Sequence, residues 1–154
     1  MSNLPVVGRA ETVDVVEFDI FSVPAKVDTG ADNSSIWVSQ VSEQPDGLSC
    51  VFFGPGSPFY TGEIVHIGHD YSVTRIANSF GHKEVRYKVR LKIRVQERVI
   101  RATFTLADRS LKAYPILLGR RLLHGKFLVD VSKRLSIEPT VIAEGDKKDI
   151  QKIH

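Results

Sequence analysis

The strongest pattern in the chain runs from Val85 to Val95. Val85, Tyr87, Val89, Leu91, Ile93 and Val95 alternate with Arg86, Lys88, Arg90, Lys92 and Arg94, giving one apolar face and one basic face. Period-two alternation of this length predicts a half-buried strand. "ERVIRATFTL" follows as its hairpin partner, although Glu97 and Arg98 are weak turn residues. Upstream, "TVDVVEFDIF" predicts one or two short strands and "VPAKVD" another. "SIWVSQVSEQ" predicts a strand that ends at the turn signal "QPDG". "SCVFFGPGSPFYTGEIVHIG" is broken by Gly and Pro, so its strands should be short. Downstream, "YPILLG" reads as a short apolar strand and "RRLLHGKF" as one short helix stopped by Gly125. "FLVDVSKRLSIEP" reads as strand again. Residues 139–154 are charged and weakly patterned, and are expected to be loose or to pack only in part. The pattern predicts one all-β, barrel-like domain over residues 1–154, with a single helix in its C-terminal half.

Composition narrows the function classes. The 154 residues are 42% hydrophobic and 25% charged, as in a soluble globular domain with a sizeable core. The net charge of +3 is mildly basic, and no Lys/Arg block is long enough to be a nucleic-acid arm. The basic stripe also lacks an aromatic platform for bases, which argues against nucleic acid as a partner. One cysteine, Cys50, excludes an internal disulfide and a cysteine-based zinc cage. The N-terminus has no basic start leading into an apolar run, and no later segment approaches transmembrane length. A cytoplasmic protein without membrane attachment is the expectation.

Candidate chemistry centres on "AKVDTGADNSS", residues 25 to 35. Asp28 ends an apolar strand and Gly30 permits a tight turn. An Asp in a turn most often bonds its own backbone. The alternative is one half of a carboxylate pair. A fixed tetrapeptide such as Asp-Thr-Gly-Ala occurs by chance in roughly one chain in a thousand of this length, and structural context must support it. Here an apolar strand precedes it, and "PILLGR" supplies a second apolar strand ending in Gly119-Arg120.

These two elements resemble the retroviral-type aspartic proteases. "VGR" at residues 7 to 9, "AKVDTGADNSS", "GHKEVRYKV", "LADRS", "PILLGRRLL" and "GKFLVDVSK" also follow the order seen in a bacterial retropepsin-like family. That family is often labelled ATP-dependent zinc protease and is associated with RimK-type glutamate ligases. The resemblance spans about residues 7 to 134 and is poor from Gln44 to Ala77. It implies a closed retropepsin-like barrel and a homodimer in which each subunit contributes Asp28. It further implies that Thr29 locks the two loops across the dimer and that Gly30 allows close backbone approach to substrate. Ala31 and Asp32 would flank the substrate. Asp32 and Arg120 match positions that pair electrostatically, and Gly119 and Arg120 support the loop. A plain surface ion pair would be worth only ~0.5 kcal/mol.

Neither half of the zinc and ATP label has support in the residues. No H-E-x-x-H motif is present, and His66, His69 and Asp70 in "HIGHD" read better as surface residues than as a metal site. "GRRLLHGKF" fails the phosphate-loop pattern in spacing and in its final residue. The reading is therefore a peptidase without metal or cofactor.

Substrate expectations rest on charge. Lys26 lies two residues before Asp28 and should share its strand face. Arg86 lies in the family-matching segment, whereas Lys88 and Arg90 read as a solvated, aggregation-resistant face. A cationic cleft favours acidic substrates, glutamate-rich or glutamylated. The alternative is a non-catalytic retropepsin-like module that binds acidic peptides, because an ammonium near the carboxylates favours their ionised forms. The Gly/Pro-rich segment from Cys50 to Gly81 is the candidate source of a lid.

Overall fold

The computed structural model describes residues 3–77 and 79–133. The expected tail, and the part of the expected last strand beyond Lys133, lie outside them. The strands are β1 (Val6–Val7), β2 (Ala10–Val15), β3 (Ile20–Val27), β4 (Ser34–Gln44), β5 (Gly47–Phe52), β6 (Val65–Gly68), β7 (Tyr71–Ala77), β8 (Lys83–Val95), β9 (Arg98–Ala107), β10 (Ile116–Leu118) and β11 (Leu128–Val129). A 3-10 turn, Val16–Phe18, joins β2 to β3, and one helix, α1 (Arg120–Leu123), follows β10.

Six strands close on themselves in the order β10-β3-β2-β8-β9-β4, because β10 pairs with both β3 and β4. The protein is an all-β closed barrel, the architecture that the retropepsin-like resemblance implies. Its interior is filled by alternate residues: Val13 and Val15 from β2, Ala25 and Val27 from β3, and Ile36 from β4, with Leu91, Ile93, Phe104, Ile116 and Leu118 closing the rest. Val89 to Val95 bury their apolar face as the alternation requires. The first half of β8 behaves differently. Val85 is 43% exposed and Tyr87 half-buried, because this part of β8 leaves the barrel and pairs with β7 as a two-stranded hairpin. The projecting element is thus built from the end of the Gly/Pro-rich segment and the start of the basic strand.

The β8–β9 hairpin forms as expected, with Gln96 at φ 55° in the turn. Its side chain compensates for the poor turn chemistry, since Gln96 Nε2 donates to the Val6 carbonyl at 2.7 Å. Gln96 also reaches Glu11, a buried carboxylate whose Oε1 accepts from Gly8 N–H at 3.3 Å. In the described part of the predicted strand after Gly125, Leu128 and Val129 are the residues that pair, in parallel with Val6 and Val7. His66 lies in a strand, β6, and not in a loop.

The barrel closes tightly at Gly119. A Cβ there would lie 2.5 Å from the Asn33 carbonyl oxygen and 2.9 Å from that of Ala31, both backbone atoms that cannot swing aside. Gly119→Ala should therefore lower stability by roughly 1–3 kcal/mol or more, as overpacking does. A urea midpoint equal to that of the wild type would contradict this close approach.

Candidate active site

The turn Asp28–Asn33 has no ladder of its own, and the segment Leu118–Arg121 supplies its hydrogen bonds. Asp28 N–H donates to the Leu118 carbonyl at 2.9 Å. Arg120 and Arg121 N–H donate to the carbonyls of Ala31 and Asp32 at 2.7 and 3.2 Å. Gly119 N–H donates to the buried Ser34 Oγ at 2.9 Å. The Arg120 side chain completes the clasp, donating to the Thr29 carbonyl at 3.2 Å and pairing with the Asp32 carboxylate. Both ends of that pair are more than half exposed, so its Coulomb energy is small and its value lies in fixing the turn.

Asp28 itself is half-buried, and its Oδ1 accepts from Gly30 N–H at 2.9 Å. Thr29 and Gly30 are exposed. The carboxylate is thus held by the bland turn contact expected of any such Asp, inside a frame that fixes where it points. A Cβ on Gly30 would meet Asp28 Oδ1 at 3.2 Å, a tight contact, so the glycine leaves room for the carboxylate.

Sheet register defines the surface beside Asp28. Ala25 and Val27 point into the core, whereas Lys26 is exposed, so Lys26 and Asp28 share the outer face. Leu117 is in register with Lys26 and with Ser35, Ser35 with Thr105, and Thr105 with Lys88. Directly paired residues lie on the same side of a sheet, so Lys26, Leu117, Ser35, Thr105 and Lys88 form one row across five strands. A groove of about 390 Å³ opens at that row between the hairpin and the end of the Asp28 turn. Ser35, Thr74, Ile76 and Arg86 are among its lining residues. Arg86 is therefore in the groove, where its guanidinium is held by Glu84 through bonds of 3.0 and 3.3 Å. Lys26 is not among the lining residues of this groove, and lies farther along the row.

Sequence reasoning passed over Arg109. Its Nε donates to the Tyr114 carbonyl at 2.9 Å and a terminal nitrogen to Ser35 Oγ at 3.1 Å, which fixes it over the row. Burial pulls its pKa down, and the negative charge of Asp28 acts in the opposite direction. Arg109 is thus a half-buried cation within electrostatic reach of Asp28. The string "LADRS" contained the only available signal, and nothing in its spacing indicates which strand its Arg approaches.

Other candidate chemistry is absent from this surface. Burial pushes the Cys50 thiol up to about 12, so it is not a ready nucleophile. Among the described residues no three His, Cys, Asp or Glu side chains gather as a metal site, and His66 contacts Ser49 at 3.5 Å. No described helix is long and apolar enough to cross a membrane.

Comparison with known proteins agrees with this geometry. The chain is 28% identical over 129 residues to a probable alpha-L-glutamate ligase of Desulfotalea psychrophila, covering 81% of this chain. It spans only 28% of that relative's length. Among solved structures, the Legionella pneumophila protein Lpg0085, of unknown function, superposes with a TM-score of 0.67 at 22% identity. The match covers 88% of this chain and 98% of that one. The profile of the RimB-like family, described as retropepsin-like aspartic endopeptidase RimB, matches residues 6–140. With its Asp28-Thr29-Gly30 turn clasped by Gly119 and Arg120 at the closure of a six-stranded barrel, the chain belongs to the RimB-like family of retropepsin-like proteins.

Proposed function

We propose that the protein is a homodimeric aspartic peptidase acting on acidic, glutamate-rich or glutamylated polypeptides. The observation that carries this reading is the clasped turn, which presents a single Asp28 carboxylate beside exposed Thr29 and Gly30. Carboxylate-catalysed peptide hydrolysis needs two such groups. One takes a proton from the attacking water, and the protonated partner polarises the scissile carbonyl. A second copy of the chain related by a twofold axis supplies the second Asp28 and a self-complementary contact. In this reading the β7–β8 hairpin, whose Thr74 and Ile76 line the groove, folds over the bound peptide and excludes water.

Charge supports the substrate class. Lys26, Arg86 and Arg109 are cations on or beside the surface that continues from Asp28. A relative named as a glutamate ligase contains a segment like this chain, which fits a role on glutamyl products. No cofactor or metal is invoked, and activity should survive chelator.

Asp28→Asn tests the chemistry. It preserves shape but cannot accept the proton of water, so hydrolysis should fall to background while the fold and acidic-peptide binding persist. Retained turnover would end the aspartic-peptidase reading. Subunit mixing tests the shared pair. Wild type equilibrated with excess Asp28→Asn should lose most of its activity, because nearly every wild-type chain then sits in a one-carboxylate dimer. Activity in proportion to wild-type chains would mean that one chain suffices.

Arg109→Met should shift the pH profile of kcat/KM upward, since the carboxylates lose a cation that favours their ionised form. Arg109→Lys should leave it nearly in place. Lys26→Leu should shift the profile the same way and weaken the preference for glutamate. Unchanged profiles in Arg109→Met and Lys26→Leu would show that neither cation faces the reaction.

A further inference from the structure

Alongside the row lies a second groove of about 330 Å³, with Lys88, Arg90, Arg101, Arg121 and Lys126 among its lining residues and no acidic residue. Asn33, Ser34 and Lys88 line both grooves, so the two adjoin. None of these five cations forms an ion pair among the described residues; the pairs there belong to Arg75, Arg86, Arg94 and Arg120. The cations come from three elements, β8, β9 and the α1 region, so strand alternation alone does not account for them. The sheet also carries a like-charge pair, with Lys92 directly opposite Arg101. Such pairs destabilise a sheet unless something offsets the repulsion. The Glu17 carboxylate, which accepts from Lys92 N–H at 2.8 Å, lies on the Lys92 side, whereas Arg101 lines the groove, whose concave shape concentrates the field.

We propose that this furrow is an exosite for an extended acidic polypeptide segment, lying beside the Asp28 turn between Lys88, Arg90 and Arg101 on one wall and Arg121 and Lys126 on the other. Its identity as part of the substrate rests on the proposed function; its capacity to bind an acidic chain does not. Asn33 and Ser34, at the end of the Asp28 turn, line the second groove together with Arg121, whose N–H donates to the Asp32 carbonyl, so the basic groove begins beside the turn and extends from it along β8 and β9 to Arg90 and Arg101. The lack of stacking aromatics among the lining residues favours a carboxylate polymer over a nucleic acid.

The test is binding of decameric glutamate peptide to full-length Asp28→Asn protein, with and without Arg90→Ser/Arg101→Ser, by calorimetry at two salt concentrations. The double variant should bind at least tenfold more weakly and with less salt dependence. Arg121→Ser/Lys126→Ser, on the other wall, should do the same. Lys112→Ser/Lys133→Ser removes equal charge outside both grooves and the hairpin and should bind like the parent. Matching melting temperatures ensure that folded proteins are compared. Undiminished binding in both furrow variants, or equal loss in the Lys112/Lys133 control, overturns the exosite. Tighter binding of single-stranded RNA of equal charge overturns it too, by making the furrow a nucleic-acid surface. Wild type that never hydrolyses the decamer, with binding still lost in the furrow variants, would sink the peptidase reading and leave the exosite standing.

Discussion

The passage of Gly119 against the backbone of Ala31 and Asn33 is the constraint on which the rest depends. No side chain fits in that space, and the residues that flank it supply the bonds that the Asp28 turn lacks. The same few residues close the barrel, since β10 ends immediately before Gly119 and pairs with strands on both sides. Structural closure and placement of the carboxylate are therefore one event. The turn is rigid because it sits at the seam of the sheet, and it is exposed because that seam faces outward.

Much of this was legible in short strings. "VDTGA" and "LLGR" each combine a strand ending with a turn, and such local signals need no knowledge of the partner strand. The basic alternation of β8 was legible as a strand, but its pattern could not tell where the barrel ends. Val85 and Leu91 look alike in sequence, yet one lies on a projecting hairpin and the other in the core. Partner availability was equally hidden. "FLVDV" has the composition of a full strand, and Leu128 and Val129 are the residues of it that pair with β1. Arg109 escaped for a third reason. Its position over Ser35 follows from the register of β10 against β4 and the loop before it, which no local pattern encodes.

The cations divide into two populations. Arg94, Arg86 and Arg120 are tied to carboxylates of their own chain, and these ties shape the scaffold, the hairpin and the turn. Arg90, Arg101 and Arg121 have no such tie among the described residues, and they lie together. A net charge of only +3 conceals this separation, because the balance over the whole chain says little about where the unpaired charges stand.

Strand order also governs when the protein acquires its chemistry during synthesis. Ile116–Leu118 is inserted between β3 and β4, strands made some eighty residues earlier. A nascent chain that ends before Ile116 has an open seam and lacks the donors and acceptors of Leu118–Arg121 that clasp the Asp28 turn. Pairings across such long stretches of chain form late, because the entropy of closing the loop must be overcome first. The ribosome therefore releases almost the whole barrel before a clasped Asp28 turn can exist. Truncated products of the same message would carry the aspartate without its frame.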